Sequence, residues 1–483
     1  MAFRQVFIKQ AMLYKFRFFI GYILLFLALL VVLTVDIRTL PSGISLRGME
    51  TVVTSMNMGF QAPFDWILNA PFHALQKLSV TLFGLERLPI VLPSIVFGAL
   101  TIVLFFLTMR QWFRESVAVI TTLVAVTTGP FISMVRSATP DIMLPFFTVL
   151  LLLAAVKVLV KQERAFVWKI IVVLAALGLA YTPFGVYSLI AFIAGGSLHP
   201  HIRSRIRHIK THRKIILISI GLIGLIPLVV YLVKYPSALA ALTGQTYFRM
   251  SLDNFQETLR IIFVSFVDFT KSSFVGSYIT PAFNIATLCL MLLGLFRCVQ
   301  DRHTTRSYVI LSWIVLTIPM ALLAPSQQQI ILVPALLLLA IGSETLVIDW
   351  YKLFPRNPYA RTAGLVPLTI LFVTIAATNI THYFYSQQYI GNPIYRNSLS
   401  AIRQTLDKSP EGQPLLLTDA PTEAFYSLLK REYASLSVTS AVPPTLTKKT
   451  MVTPETGASF GIPSSILTSA HSIDSVTLRV YTP

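Results

Sequence analysis

Eleven apolar runs dominate this 483-residue chain and restrict the folds open to it. A helix needs roughly 20 apolar residues to cross the hydrocarbon layer of a bilayer. We therefore predict an α-helical polytopic membrane protein, whose expected spans are residues 18–35, 88–109, 117–132, 142–160, 168–181, 184–197, 215–233, 282–295, 308–323, 330–348 and 365–384. Only Thr182-Pro183 separates the fifth run from the sixth, so a single kinked helix is the alternative there.

The composition excludes several other classes of protein. Hydrophobic residues make up 55% of the chain and charged residues 12%, about half the charged fraction of a soluble domain. A cytosolic enzyme and a disordered chain are therefore excluded. The two cysteines, Cys289 and Cys298, are too few for a secreted disulfide scaffold.

The distribution of basic residues predicts the orientation. With the N-terminus in the cytoplasm and eleven spans, the cytoplasmic segments hold 22 of the 39 Lys and Arg residues but five of the 20 acids. Cytoplasmic enrichment of Lys and Arg is the usual determinant of topology. Merging the fifth and sixth spans would move the basic loop 199–214 to the other face, so two spans are favoured. The same rule explains the basic residues of that loop, so nucleic-acid binding is a disfavoured alternative.

The spans divide the chain into two predicted domains. Residues 1–384 form a transmembrane domain, and its first run is interpreted as an uncleaved signal anchor because no small-residue cleavage site follows it. Residues 385–483 are expected to form a small extracytoplasmic α/β domain, with strands at 414–418, around Val438 and at 476–481, and a helix at 422–432. We expect the chain to be a transmembrane protein of the cell membrane. We expect its functional residues to lie in the extracytoplasmic segments.

The longest of these segments within the transmembrane domain is the first outer loop, residues 36–87. Its apolar residues recur at spacings of three and four, interrupted by Pro63 and Pro71, which is typical of short amphipathic helices at a membrane interface. His73 and Lys77 lie between these apolar residues, and Glu50 lies upstream.

Two further outer segments contain charged residues. Arg136 and Asp141 lie five residues apart in the connection 133–141, where Pro140 permits a helix to begin with Asp141 in its first turn. A capping acid beside an interfacial arginine is the alternative to a functional pair. Segment 246–275, which includes Arg249 just upstream of its acids, is predicted to be an amphipathic surface helix followed by a Ser-rich turn.

Common catalytic and cofactor motifs are missing from the sequence. It contains no P-loop, no G-x-G-x-x-G after a strand, no H-E-x-x-H and no Cys-x-x-Cys. We therefore predict no metal and no cofactor. Charged residues are also missing from the middle of the spans, which argues against a transporter.

The order of features resembles the GT-C superfamily of lipid-dependent glycosyltransferases, in particular protein O-mannosyltransferases and lipid A aminoarabinose transferases. The resemblance is carried by Leu82-Phe83-Gly84-Leu85-Glu86-Arg87-Leu88-Pro89, by Pro93-Ser94-Ile95-Val96-Phe97-Gly98 and by Arg136-Ser137-Ala138-Thr139-Pro140-Asp141. It covers roughly residues 15–200, and the rest of the chain by architecture only. It implies transfer of a sugar from a polyprenyl-phosphate carrier to a protein or glycolipid acceptor on the extracytoplasmic face.

The resemblance also implies an acidic pair in the first loop, from which this chain departs. The family pattern is Asp-Glu, and this chain has Met49-Glu50. Glu50 as the base is favoured, Asp141 is the second candidate, and loss of catalysis is the third.

Candidates for phosphate contact are His73, Lys77, Arg136 and Arg249, although snorkelling at the membrane surface would explain each one singly. Two other function classes stay open, a non-catalytic protein that binds a polyprenyl lipid and, less favoured, a lipid or solute transporter.

Overall fold

A computed structural model gives the architecture of the chain. It describes residues 2–38, 43–59, 65–160, 165–198, 200, 203–204, 209–248, 255–353, 358–391, 394–396, 398–408, 414–441, 450–452, 467–471 and 477–481. The helices are α1 Ala2–Thr34, α2 Leu46–Met56, α3 Ala70–Phe83, α4 Arg87–Trp112, α5 Glu115–Thr127, α6 Gly129–Arg136, α7 Met143–Val160, α8 Ala165–Ala180, α9 Gly185–Leu198, α10 Thr211–Lys234, α11 Ser237–Thr243, α12 Phe255–Phe266, α13 Ile285–Gln300, α14 Thr305–Leu323, α15 Gln329–Leu353, α16 Pro358–Tyr385, α17 Ser398–Lys408 and α18 Ala420–Ser427.

Every one of the eleven predicted spans coincides with apolar helix. Within the described residues, six helices are long and apolar enough to cross a bilayer, and the bent pair α5–α6 would make a seventh. Four shorter apolar helices account for the other runs, at Phe18–Thr34, Phe166–Ala180, Gly185–Ser197 and Ile285–Gln300. The chain is therefore a multi-pass membrane protein, and the count of eleven spans stays a prediction.

The third predicted span is not one straight helix. Residues 117–132 were expected to be continuous, but α5 and α6 meet at an angle of 61°. The break falls at Thr128, whose backbone is extended, directly before Gly129-Pro130. Proline has no N–H to donate and clashes with the preceding turn, so the helix must restart there. This bend directs α6 toward the connection that contains Asp141.

The fifth and sixth apolar runs are separate helices, as the charge pattern predicted. Helix α8 ends at Ala180 and α9 begins at Gly185. Between them Phe184 has a positive φ of 62°, and its N–H donates to the carbonyl of Leu242 at 2.9 Å. The interruption is thus held by a contact with α11.

The first loop forms the short helices that its spacing predicted. Helices α2 and α3 flank a 3₁₀ turn at Asp65–Ile67, and Pro71 lies in the first turn of α3, where a missing N–H costs nothing. The apolar side chains of Leu78, Leu82 and Phe83 are exposed on α3, as an interfacial helix requires.

Within the part of the chain that the structure describes, the strands form three small sheets. Strands β1 Ile44–Ser45 and β4 Tyr395–Arg396 pair antiparallel, as do β2 Ser273–Val275 and β3 Tyr278–Thr280. The remaining strands form a five-stranded mixed sheet in the order β6-β5-β7-β9-β8, from β5 Leu415–Leu417, β6 Ser437–Thr439, β7 Thr450–Val452, β8 Leu467–His471 and β9 Thr477–Tyr481.

Sequence patterns anticipated part of this β structure. The predicted strands at 414–418, Val438 and 476–481 contain β5, β6 and β9, and the predicted helix 422–432 overlaps α18 and the 3₁₀ turn Leu428–Arg431. In segment 246–275 the expected surface helix is α12, but the expected Ser-rich turn runs into the β2–β3 hairpin. The limits of the two predicted domains stay a prediction.

Two glycines allow the membrane helices α13 and α15 to pack backbone against backbone. A Cβ on Gly294 would lie 2.0 Å from the carbonyl oxygen of Leu338, and one on Gly342 would lie 1.9 Å from that of Leu290. Small residues at such crossings are typical of membrane helix pairs. This close contact fixes α15, whose first residue, Gln329, lies beside the β2–β3 hairpin.

Candidate active site

The helix α2 brings two charged residues of the first loop to one face. The hydroxyl of Ser45 accepts a hydrogen bond from the N–H of Gly48 at 3.2 Å and so caps the helix. Arg47 and Glu50 then lie three residues apart, on neighbouring positions of the same side. Met49 is 1% exposed, whereas Glu50 is exposed, so the helix turns the glutamate away from the core.

Asp141 lies at the centre of the polar cluster that α2 faces. It belongs to the 3₁₀ turn Pro140–Ile142, and its side chain is 3% exposed. Arg47 forms an ion pair with it at 3.0 Å to Oδ1, and also approaches Oδ2 at 3.4 Å. The hydroxyl of Thr139 donates to Oδ2 at 2.9 Å. Such partners compensate the burial of the carboxylate, because an unpaired charge in the interior is strongly unfavourable.

Arg47 connects this buried carboxylate to the surface. Its side chain is 32% exposed, and its guanidinium lies 5.2 Å from the ring centre of Tyr247. Desolvation by burial lowers the pKa of Arg47, but the charges of Asp141 and then of Tyr247, Tyr278 and Glu50 raise it, so that the net direction is upward. Arg47 is therefore a permanent cation that interacts with both carboxylates.

Tyr278 closes the cluster on the side of the β2–β3 hairpin. Its hydroxyl lies 3.3 Å from Oδ2 of Asp141 and within hydrogen-bond distance of Oε1 of Gln329. Desolvation by burial and the charge of Asp141 hold the pKa of Tyr278 well above its usual value, so its hydroxyl stays protonated. Gln329 in turn donates to Oε1 of Gln327 at 3.2 Å.

Arg136 does not serve as the cation beside Asp141. It is 1% exposed and donates to the carbonyl oxygens of Leu33 and Val35, at 3.2 and 2.7 Å. These carbonyls end α1, where helices leave acceptors unsatisfied. Its guanidinium also lies 5.1 Å from the ring centre of Phe384 in α16. Arg136 thus ties α1 to α16, and Arg47 takes the place beside the aspartate.

His73 belongs to a neutral polar network between α2 and α3. Its Nδ1 lies 2.7 Å from the hydroxyl of Ser55, which also donates to Gln76. The amide of Gln76 donates to the carbonyl of Ile90 at 2.8 Å. Desolvation by burial lowers the pKa of His73 to about 4, so the imidazole carries no charge at neutral pH.

Lys77 and Arg249 complete the set of predicted phosphate ligands. The ammonium of Lys77 donates to the carbonyl of Met58 at 2.6 Å, just beyond the end of α2. Arg249 lies outside the described residues. Glu50 and Asp141 thus share Arg47 as a neighbouring cation, whereas His73, Lys77 and Arg136 form hydrogen bonds within the protein.

Three residues of the cluster escaped the sequence analysis. Arg47 precedes Glu50 by one helical turn, and that spacing in the acidic loop could have identified it. Tyr278 and Gln329 come from distant segments that have no motif, so only the folded chain brings them to Asp141. Among the residues that the structure describes, no group of three or more His, Cys, Asp or Glu is placed to hold a metal ion.

Comparisons with known proteins agree with this architecture. Residues 70–231, about a third of the chain, match the family model described as dolichyl-phosphate-mannose-protein mannosyltransferase. ArnT from Cupriavidus metallidurans bound to undecaprenyl phosphate is similar in structure, with a TM-score of 0.52 at 13% identity over 95% of this chain and 98% of that one. The apo state of that protein has a TM-score of 0.50 at 14% identity, over 95% and 97% of the two chains.

The similarity to known proteins is clearer in the fold than in the sequence. No curated protein matches this chain in a comparison of sequences. The fold extends over nearly the full length of both chains in the structural comparison, and the family model covers α3 to α10. Residues 70–231 are thus similar to that mannosyltransferase family, and the chain as a whole has a fold similar to that of ArnT.

Proposed function

We propose that this protein transfers a sugar from a polyprenyl-phosphate carrier to an acceptor on the extracytoplasmic face of the membrane. The observation that carries this proposal is Arg47, a half-exposed cation between an exposed carboxylate, Glu50, and a buried one, Asp141. Such a site supplies a base for the acceptor and a positive charge for the departing phosphate.

Glu50 is the residue we assign as the general base. The acceptor hydroxyl loses its proton to the Glu50 carboxylate as its oxygen bonds to the anomeric carbon, and the bond from that carbon to the phosphate oxygen breaks. The electron pair leaves with the lipid phosphate, whose charge Arg47 stabilises. Asp141 is less suited to be the base because its carboxylate is buried and already accepts hydrogen bonds from Arg47 and Thr139. We assign it the role of holding Arg47.

The remaining predicted ligands have different roles in the proposal. His73 and Lys77 support α2 through Ser55 and the carbonyl of Met58, and Arg136 fixes the end of α1. Arg249 stays a proposed phosphate contact. The charge distribution of the loops supports a cytoplasmic N-terminus and, with it, an extracytoplasmic first loop and extracytoplasmic C-terminal strands.

The proposal is tested by sugar transfer in membranes. Purified chain in lipid nanodiscs is supplied with labelled polyprenyl-phosphate sugars and candidate acceptors, with Glu50→Gln as the variant. Glu257→Gln is the matched control, because Glu257 is an exposed acid on α12. Label that reaches an acceptor only when Glu50 is present supports the assignment, and equal transfer by both variants refutes it.

A second function is favoured by one observation. The family aspartate of the acidic pair is replaced by Met49, which is buried in the core. A non-catalytic protein that binds a polyprenyl lipid would keep Arg47 and need no base. Mass spectrometry of co-purified lipid separates the two functions: a carrier that keeps its sugar in the presence of every acceptor tested favours this second one.

A further inference from the structure

The hydroxyl of Tyr278 has two acceptors and one proton. It lies 3.3 Å from Oδ2 of Asp141 and closer to Oε1 of Gln329. One O–H group donates one hydrogen bond at a time. In the structure the shorter contact goes to Gln329, so Asp141 depends on Arg47 and Thr139 for its hydrogen bonds.

This arrangement becomes important if Arg47 binds the donor phosphate, as the proposed function requires. Arg47 would turn from Asp141 toward the phosphate, and the carboxylate of Asp141 would lose its cation while 3% exposed. A buried charge that loses its partner is strongly unfavourable. The neighbouring hydroxyl of Tyr278 is able to compensate, because rotation about its C–O bond moves the proton from Gln329 to Asp141.

We propose that Tyr278 is a positioning residue that controls the affinity for the donor phosphate by exchanging its hydrogen bond between Gln329 and Asp141. While Arg47 pairs with Asp141, the hydroxyl of Tyr278 donates its hydrogen bond to Gln329. When Arg47 binds the phosphate, the hydroxyl donates to Asp141 instead. The acceptor of Gln329 therefore weakens phosphate binding, whereas the hydroxyl of Tyr278 strengthens phosphate binding. Tyr278 is 2% exposed and Gln329 3%, so water does not replace either partner.

The inference makes opposite predictions for two residues of one network. Tyr278→Phe removes the compensating donor, so affinity for a lipid phosphate falls by about tenfold, the value of one hydrogen bond to a charged group. Gln329→Met removes the competing acceptor and keeps the side-chain volume, so affinity rises. The double variant behaves like Tyr278→Phe alone. A residue with a purely structural role would lower affinity in both variants.

The experiment is equilibrium binding of undecaprenyl phosphate to the purified full-length protein in nanodiscs. Tyr433→Phe is the matched control, because Tyr433 also donates to an aspartate, Asp407 at 2.6 Å, in the C-terminal segment. Thermal denaturation identifies folded variants, and Gln329→Asn, whose shorter side chain withdraws the acceptor, is used if Gln329→Met does not fold.

The outcomes separate this inference from the proposed function. Affinity changes of opposite sign support the exchange of the hydrogen bond. If Arg47→Gln weakens binding but both network variants change affinity in the same direction or not at all, the inference is overturned and the phosphate role of Arg47 stands. If Arg47→Gln leaves the affinity unchanged, that role and the inference fail together.

Discussion

Arg47 and Arg136 are two arginines in the same part of the molecule with different surroundings. Arg47 is 32% exposed and paired with a carboxylate, whereas Arg136 is 1% exposed and donates to the backbone carbonyls that end α1. Both lie near aromatic rings, Tyr247 in one case and Phe384 in the other. The difference lies in the partners: a guanidinium on backbone carbonyls holds an element in place, while a partly exposed guanidinium paired with a carboxylate has a face open to a second anion.

The two arginines show which kind of partner leaves a cation able to bind a ligand. Arg136 has the position in sequence that the family motif suggests, five residues before Asp141, yet its hydrogen bonds tie two membrane helices together. Arg47 carries no motif of its own, yet it faces Glu50 and Asp141. We therefore expect substitutions around Arg47 to change activity and binding, and substitutions around Arg136 and His73 to change stability.

The largest expected effect is on the activity of Glu50→Gln. Removing a general base lowers the rate by about 10²- to 10⁴-fold, while affinity for undecaprenyl phosphate stays within about twofold because the amide keeps the size of the side chain. Single-turnover transfer and equilibrium binding measure the two quantities. A variant that keeps the parental rate would remove Glu50 from the mechanism.

Arg136→Gln is expected to act on stability instead. Two carbonyls at the end of α1 lose their donor, and a buried site loses its packing, which together cost about 3 kcal/mol. Thermal denaturation in detergent should show a lower midpoint, and lipid-phosphate affinity of the folded fraction should be unchanged. Weakened affinity at an unaltered midpoint would reverse the roles of the two arginines.

Neutralising both members of the Arg47–Asp141 ion pair tests whether Arg47 binds the lipid phosphate. Arg47→Gln alone leaves Asp141 unpaired, so Asp141→Asn is combined with it to keep the site neutral. We expect the double variant to denature near the parental temperature and to bind undecaprenyl phosphate about tenfold more weakly. Parental affinity in this variant would exclude Arg47 as the phosphate ligand.

The smallest effect is the pH dependence contributed by His73. Its pKa is lowered from 6.5 to about 4 by burial, so the unfolded chain binds the proton more readily. Its contribution to stability is fully present above about pH 6.5 and is lost as the pH falls toward 4, by about 1 kcal/mol at pH 6. Denaturation midpoints between pH 7.5 and 5.5 measure it. His73→Gln should flatten that slope, and an unchanged slope would contradict the assignment.

The sequence was most informative about the membrane helices. Each apolar run became helical, the third as the bent pair α5–α6, because spans must satisfy their own backbone hydrogen bonds. The bend at Thr128 was foreseeable from Gly129-Pro130, since proline is a local signal. The pairing of β1 with β4 was not foreseeable, because it joins two-residue strands about 350 positions apart and neither strand has an alternating pattern.

The candidate site was less accessible to sequence reasoning. Glu50 could be selected because it matches one member of the family's acidic pair, and Asp141 because it directly precedes an apolar run. The partner of Asp141 could not be assigned, since Arg136 is nearer in sequence and Arg47 nearer in space. Tyr278 and Gln329 are ordinary residues until the hairpin and α15 bring them together.

The pairing of β1 with β4 has a consequence for biosynthesis. The strand that leads into the cap of α2 is completed by residues 395–396, which follow the last membrane helix. The ribosome must therefore synthesise every membrane helix of the described chain before the strand that precedes α2 finds its pairing partner. A nascent chain halted before residue 395 could insert its membrane helices and would still lack the strand that pairs with β1.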